Sequence, residues 1–224
     1  MALIDGLSFQ RTTTAQQLAD ALSARVLSGA IAPGQRMRES AIAAELGVAR
    51  NTVREAVRIL EIAGLVRHEV NRGAVVVSPT PEAIEELYAS RVVLETAAIR
   101  CATSPDQLKH VETAYVKLVG VADSKDPNRI VSADLGFHTA IVGMLNNSRI
   151  QAFYEQLARE LHFYLMHLIA RDHIFDDPAV IIGDHRSIME ALRAGDLELA
   201  ATEATHHLER NKARVKRLLA AIDD

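Results

Sequence analysis

The run from Ser40 to Gly73 constrains the fold more than any other part of the sequence, because it predicts two short helices, a tight turn and a β-hairpin in direct succession. Gly47 follows the first helix and can adopt the positive φ that a sharp bend between helices requires. A second helix begins near Arg50, and the spacing of its apolar residues predicts one buried face, formed by Val53, Ala56, Val57 and Leu60. Two short apolar runs at residues 65–70 and 74–77, separated by a turn, predict the hairpin. This order of elements indicates a winged helix-turn-helix.

The face of the second helix opposite its apolar residues predicts contact with DNA. It is cationic and rich in hydrogen-bonding groups at its N-terminal end, as a helix in the major groove requires. The candidate base or phosphate contacts on this helix are Arg50, Asn51, Thr52 and Arg54. Ser40 is a candidate phosphate contact, and Arg72 with Gly73 on the wing would reach the DNA backbone or minor groove. The alternative is an ordinary helical segment with a solvated charged face.

The run GQRMRESAIAAELGVARNTVREAVRILEIAGLVRHEVNRGAVV resembles the DNA-binding domain of the GntR family of bacterial transcription regulators, with helix, turn, helix and wing in the same register. The resemblance covers the first third of the chain and implies binding to double-stranded operator DNA. One departure is Ala49, because the family usually has serine just before the arginine that opens the recognition helix. Alanine cannot cap a helix, which costs ~1 kcal/mol, and it lacks a hydroxyl that could hold a phosphate.

Length, composition and charge indicate a two-domain protein. A chain of 224 residues is long enough for two domains, and 49% hydrophobic residues are ample for their cores. Two prolines within Ser78–Pro81 predict a boundary, with a domain at residues 1–78, a linker at 79–81 and a second domain at 82–224. Residues 1–80 hold nine arginines and seven acidic residues, a balance of +2, whereas the whole chain has a net charge of −4. A basic head on an acidic body suits a protein whose head alone touches DNA.

Outside the hairpin, the sequence predicts helices throughout. One helix follows cap candidates at residues 12–14 and ends near Ser28 and Gly29. After the linker, helical periods separated by cap and stop signals predict six further helices, at residues 82–102, 105–122, 129–145, 149–171, 178–194 and 196–221. The fold class is therefore mainly α, with a winged helix-turn-helix that carries a small β-ribbon, followed by an all-α bundle.

Four polar residues in the second domain occupy positions where the helical period calls for apolar ones. Asp134 and His138 are four apart and share one helix face, while His185 and His207 lie in the apolar stripes of two later helices. Burying several polar groups without partners is expensive, and one divalent cation held by all four would remove that cost. Three imidazoles and a carboxylate suit Zn²⁺ or Ni²⁺. Separate core histidines are the alternative, because periodicity alone does not bring three helices together.

The runs RVVLETAAIR and DHRSIMEALRAGDLELAATEATHHLER resemble the FCD-type all-helical ligand-binding domain of the FadR-like subgroup of GntR regulators. The resemblance implies a metal ion on one Asp and three His, which by motif are Asp134, His138, His185 and His207. The 22-residue step from His185 to His207 keeps the family spacing and favours His207 over its neighbour His206. The resemblance also implies a homodimer and a small-molecule effector.

Arg91 and Glu95 are four residues apart on the helix that opens the second domain. The plain interpretation is an ion pair on the helix surface, which contributes only a few tenths of a kcal/mol. The functional interpretation is that Arg91 reaches into the bundle and pairs with an effector carboxylate, for which its planar fork is suited. The subgroup favours arginine at this position. Glu95 would orient the arginine or lie at the edge of the pocket.

These features predict a homodimeric, ligand-responsive transcription regulator, a repressor that a small organic acid releases from DNA by binding at the metal site. The alternatives are a metalloenzyme using the Asp/His₃ site, a direct metal sensor and a sensor of long-chain acyl thioesters. No second carboxylate or other base accompanies the metal motif, which disfavours the enzyme. The lone Cys101 and a start without signal-peptide features predict a cytoplasmic protein. No apolar run approaches the ~20 residues of a membrane span.

Overall fold

The structure is a computed structural model that describes residues 13–27, 29–102, 104–169 and 178–223. The chain divides into two compact units that meet between Val77 and Ser78. Three sequence features lie outside the described residues: the start of the chain with Thr12, the helix end at Ser28, and residues 170–171 of one predicted helix.

The first unit is a winged helix-turn-helix, as predicted. Its elements are α1 (Thr14–Leu27), α2 (Glu39–Leu46), α3 (Arg50–Ile62), β1 (Val66–Glu69) and β2 (Gly73–Val76). Gly47 ends α2 with φ 65°, the left-handed conformation that the bend requires. The face of α3 predicted to be buried is buried, and α1 packs against it.

The hairpin of the first unit is antiparallel, and its register pairs Val66 with Val76 and Glu69 with Gly73. Asn71 and Gly73 both adopt positive φ, which turns the chain between the strands. Arg36 forms an isolated bridge with Val75, so the segment before α2 lies along the outer edge of the wing.

The second unit is an all-α bundle, again as predicted. Its helices are α4 (Pro81–Arg100), α5 (Pro105–Val119), α6 (Pro127–Gly143), α7 (Ser148–Ile169), α8 (Pro178–Ala194) and α9 (Leu197–Asp223). Helix α6 begins two residues earlier than predicted, because the Asp126 carboxylate caps it by accepting a hydrogen bond from the Asn128 amide at 3.0 Å. Among the described helices, none combines the length and the apolar character needed to cross a membrane.

The interior of the second unit combines an apolar core with a group of polar side chains. Helix α9 packs along both α4 and α8, and α6 packs against α4, α5 and α7. The polar or charged residues buried among these helices are Arg91, Glu95, Thr96, Asp134, His138, His185 and His207. Helices α4, α6, α8 and α9 therefore position every residue that the sequence proposed for metal and effector binding.

The hydrogen bond that caps α4 can be tested by substitution. The Thr80 hydroxyl accepts a hydrogen bond from the Ala83 amide at 3.1 Å, and Pro81 occupies the first helical position. We expect Thr80→Ala to lower the free energy of unfolding of the helical unit by ~1 kcal/mol, because a free amide is left at the helix start. Urea unfolding followed by circular dichroism measures the change. Thr80→Ser keeps the hydroxyl and should keep the stability, so an equal loss in both variants would contradict the capping role.

Candidate metal centre and nucleic-acid interface

Four side chains from three helices converge inside the second unit. Asp134 and His138 come from α6, His185 from α8 and His207 from α9, and all four are buried. Each offers one ligand atom, and these four atoms all lie within 4.8 Å of one another. The structure thus brings together the four residues that the sequence singled out, and it selects His207 rather than His206, whose side chain is exposed.

Two of the three imidazoles are oriented by a firm hydrogen bond at Nδ1. His185 Nδ1 donates to the carbonyl oxygen of Ile181 at 2.7 Å, and His138 Nδ1 donates to Glu95 Oε2 at 2.6 Å. Nδ1 therefore donates in both rings, and a ring that carries no second proton keeps a lone pair on Nε2. A second group that fixes tautomer and ring direction in this way is typical of metal-ligating histidines.

The third imidazole follows the same arrangement more loosely. His207 Nδ1 faces Asp184 Oδ2 at 3.4 Å, and the Arg210 guanidinium donates to the other oxygen of Asp184 at 2.9 Å. His207 Nε2 points the opposite way, where the Asn211 amide nitrogen lies 3.1 Å from it. All three rings therefore direct Nε2 towards one point.

Three of the six distances between the four ligand atoms are those of ligands that share one ion. His138 Nε2 lies 3.2 Å from His207 Nε2 and 3.3 Å from His185 Nε2, and His185 Nε2 lies 3.0 Å from Asp134 Oδ1. An ion with bonds of about 2.1 Å places neighbouring ligand atoms about 3.0–3.4 Å apart in octahedral or tetrahedral geometry. The residues present fit a divalent metal ion in number, type and spacing.

The pKa shifts of three of the four residues favour the charge states of metal ligands. Burial lowers the pKa of His207 to about 4 and lowers the pKa of His138 as well, so both rings are neutral at pH 7. Burial opposes ionisation of Asp134, but the hydrogen bond and charge of His185 outweigh it and hold the pKa of Asp134 well below its usual range. Burial also disfavours the cationic form of His185, yet Asp134 raises the pKa of this ring.

Arg91 and Glu95 are buried, at 2% and 0% exposure, so the interpretation as a surface ion pair is wrong. Arg91 Nε donates to Glu95 Oε1 at 3.0 Å and lies 3.2 Å from the Tyr154 hydroxyl, which itself donates to Glu95 Oε1. The Arg91 guanidinium carbon lies 5.4 Å from the ring centre of Tyr88. Among the described residues, Arg91 Nη2 finds no hydrogen-bond partner although it is buried. A buried donor without a partner is costly, and an anion beside it would remove the cost.

A small cavity of about 30 Å³ lies beside the guanidinium, which is room for about one water molecule. Its polar lining consists of Tyr88, Arg91, Asp134, Asn211 and Arg214. The sequence analysis missed Asn211 and Arg214. Their signal was the spacing on α9, because they follow His207 by four and seven residues and so lie on the same helix face.

In the first unit, the predicted DNA contacts surround a cationic cleft of about 400 Å³ between the helix-turn-helix and the wing. Ser40, Arg50, Arg72 and Gly73 line it. The remaining predicted contacts lie along α3, where the Arg54 guanidinium donates to the Asn51 side-chain oxygen at 2.9 Å and Thr52 is half-buried.

Six further residues line the same cleft, and the sequence analysis missed the three basic ones among them: Arg36, Arg38 and His68. The signal for the two arginines was their alternation just before α2, which places both on one side of an extended segment. On the wing, Arg72 is held by Glu69 at 2.5 Å and reaches the carbonyl oxygen of Gly34 at 3.4 Å.

A winged helix-turn-helix with a cationic cleft, followed by a helical unit with a buried Asp/His₃ cluster, is the architecture of a DNA-binding transcription regulator. Comparison with known families agrees. Residues 14–76 match the family described as bacterial regulatory proteins, gntR family, and residues 86–210 match the FCD domain. The chain belongs to the GntR family of transcription regulators, in the subgroup with an FCD domain.

Three relatives illustrate the match. The "Probable D-xylose utilization operon transcriptional repressor" of Paenarthrobacter nicotinovorans is 31% identical over 201 residues, covering 88% of this chain and 87% of its own. The gluconate operon transcriptional repressor of Bacillus licheniformis is 30% identical over 194 residues, covering 84% and 79%. A crystal structure of a GntR transcriptional regulator from Rhodococcus sp. RHA1 is 33% identical, has a TM-score of 0.70, and covers 90% of this chain and 96% of its own.

Fold and relatives are those of transcription regulators and give the metalloenzyme alternative no support.

The buried pair of Arg91 and Glu95 provides a test of the site's electrostatics. We expect Glu95→Ala to lower the free energy of unfolding by about 3–5 kcal/mol, because it leaves the Arg91 charge buried without a counter-ion. Urea unfolding measures the loss. Arg193→Ala removes an exposed arginine that pairs with Glu112 at 2.7 Å and should leave stability nearly unchanged. A loss from Glu95→Ala no larger than that of Arg193→Ala would contradict the role of Glu95 as counter-ion.

Proposed function

We propose that the protein is a homodimeric repressor that binds operator DNA through its winged helices, holds a divalent metal ion in its helical unit, and is released from DNA by a small carboxylate. The ion would be Zn²⁺ or Ni²⁺, held by Asp134, His138, His185 and His207. The observation that carries the proposal is the convergence of three Nε2 atoms and one carboxylate oxygen on a single point. Neutral imidazole nitrogens with a carboxylate are ligands that both ions accept.

The charges around the site suit one anion. A dication, Arg91 and Arg214 would bring four positive charges around the cavity, and Asp134 and Glu95 bring two negative ones. The positive charge that remains favours an anionic ligand. The unpartnered Arg91 Nη2 supplies a donor for one carboxylate oxygen. When bound, the ion supplies a Lewis-acidic position for a second oxygen of the same ligand. This need for an anion favours an acid effector over direct sensing of the metal, in which Arg91 Nη2 would stay unpaired.

The effector is small and polar. The cavity beside Arg91 is lined by charged and hydrogen-bonding groups, which do not suit a long acyl chain. The relatives named for gluconate and D-xylose operons point to hydroxylated acids derived from sugars. At about 30 Å³ the cavity is too small for such an acid, so binding would require α4 and the other helices that line the cavity to rearrange. Helix α4 begins four residues after Val77, so a displacement of α4 would be transmitted to the winged unit through this short linker.

The acid weakens DNA binding only if it prefers an arrangement of the helical units that does not fit the operator. We expect this direction because the relatives with 30% identity or more include repressors of sugar-acid and sugar operons. A gel shift with operator DNA that strengthens when the effector is added would contradict it.

Metal content tests the metal centre. In protein purified without a histidine tag and loaded with Zn²⁺, we expect one ion per chain in the wild type and none in His138→Ala or His207→Ala. His206→Ala is the matched control, because it removes an exposed imidazole next to His207 and should keep the ion. Elemental analysis measures the ion, and circular dichroism shows whether each variant is folded. Full zinc in folded His138→Ala and His207→Ala would overturn the proposed site.

Substitution of the cleft arginines tests the DNA interface. We expect Arg50→Ala and Arg38→Ala to weaken binding to duplexes selected by the wild-type protein from random sequence. A lost base contact costs about 1–3 kcal/mol, and each lost phosphate contact reduces the salt dependence of binding by about one unit of slope. Fluorescence anisotropy across a salt series measures both. Arg193→Ala, in the helical unit, should bind DNA as the wild type does. Unchanged DNA binding by Arg38→Ala would show that Arg38 is not part of the DNA interface.

A further inference from the structure

The Glu95 carboxylate contacts the metal site and the arginine at the same time. Its Oε2 accepts the proton of His138 Nδ1 at 2.6 Å, and its Oε1 accepts from Arg91 Nε at 3.0 Å and from the Tyr154 hydroxyl at 2.5 Å. The three donors come from α6, α4 and α7, so one side chain joins three helices. Glu95 is completely buried, which leaves water no access to replace any of these partners.

The groups that orient the other two imidazoles do not connect the proposed metal site to Arg91. His185 is held by the carbonyl oxygen of Ile181 on its own helix, and His207 faces Asp184, whose other partner is the half-exposed Arg210. Neither contact includes Arg91. Glu95 thus contacts both a proposed metal ligand and the proposed effector arginine.

The hydrogen bonding of the Arg91 guanidinium also favours binding of an anionic ligand. Glu95 holds Nε, which is the nitrogen nearest the helix, and leaves Nη2 buried and unpartnered beside the cavity. Arginine–carboxylate pairs frequently use the guanidinium fork with two parallel bonds. Here one arm of the fork is fixed and the other remains open to an anion.

We propose that Glu95 is a positioning residue through which the metal site and the effector site are coupled. One carboxylate fixes His138 for the ion and Arg91 for the effector, so a change at His138 alters the hydrogen bond to Arg91. This inference rests on the proposed function, because it requires that the four-residue site binds a metal ion. Thermodynamic linkage then makes the coupling reciprocal, and an acid on Arg91 changes the affinity for the metal.

The test uses Zn²⁺ alone and the full chain. The first measurement is Zn²⁺ affinity by competition with a chromophoric chelator. The second is the ¹⁵Nε–¹H resonance of Arg91, assigned by its absence in Arg91→Lys, before and after saturation with Zn²⁺. The variants are Glu95→Gln, which keeps the shape and one acceptor, and Asp184→Asn, which alters the group that faces His207 but has no contact with Arg91.

In the wild type we expect Zn²⁺ to shift the Arg91 resonance. Both variants should lose about 10–100-fold in Zn²⁺ affinity, because each alters a group that orients a ligand. At saturating Zn²⁺ the resonance should move in Asp184→Asn as in the wild type and should not respond in Glu95→Gln. A Glu95→Gln protein with wild-type Zn²⁺ affinity, or a wild-type Arg91 resonance that ignores bound Zn²⁺, would overturn the coupling and leave the metal site intact. A wild type that binds no Zn²⁺ would overturn both.

Discussion

A guanidinium and two carboxylates lie inside the helical unit, and the polar interior depends on their mutual neutralisation. An isolated charge in such a place costs several kcal/mol, and the cost is met only by a close counter-charge with hydrogen bonds to the remaining atoms. Arg91 meets Glu95, Glu95 also receives the proton of His138, and Asp134 lies 3.0 Å from His185 Nε2. This network turns three imidazole Nε2 atoms towards one another and leaves Arg91 Nη2 without a hydrogen-bond partner among the described residues. A cation would bind the first group and an anion the second, which is the basis of the proposed metal ion and acid.

The two units differ in whether their charged side chains are exposed or buried. In the winged unit the arginines stay exposed around a cleft, and the apolar face of α3 is buried against α1. Exposed guanidinium groups keep their hydration until a phosphate or base displaces it, so they contribute to DNA binding rather than to folding. In the helical unit the charges are buried and joined by hydrogen bonds in the absence of a ligand. Exposed charge on one unit and buried charge in the other suit the proposed regulator, which contacts DNA with one and a small acid with the other.

Much of the fold could be predicted because its signals are local. Gly47 supplies the turn, Thr80, Ser104 and Asp126 cap helices that begin with proline, and the apolar period gives the helices to within a few residues. The metal ligands could be proposed because a polar residue in an apolar stripe is visible in the sequence. Arg36 and Arg38 were missed because their role depends on contact with the wing, which is about 30 residues further along the chain. Asn211 was missed because a polar residue at a helix position that the sequence does not mark as buried gives no such signal. Glu95 was named, but only as a residue that orients Arg91 or lies at the edge of the pocket.

By itself the sequence determined the order of elements, the winged helix-turn-helix, the all-α second unit and the four residues proposed for the metal, since all of these follow from spacing along the chain. Only the tertiary structure decided that the four ligand atoms lie within 4.8 Å of one another, that Arg91 and Glu95 are buried rather than on the surface, and that Glu95 contacts His138. The physical reason is that helical periodicity states which face of a helix is buried but not which helix it meets. The contact between Glu95 and His138 joins residues 43 positions apart, and packing of α4 against α6 brings them together.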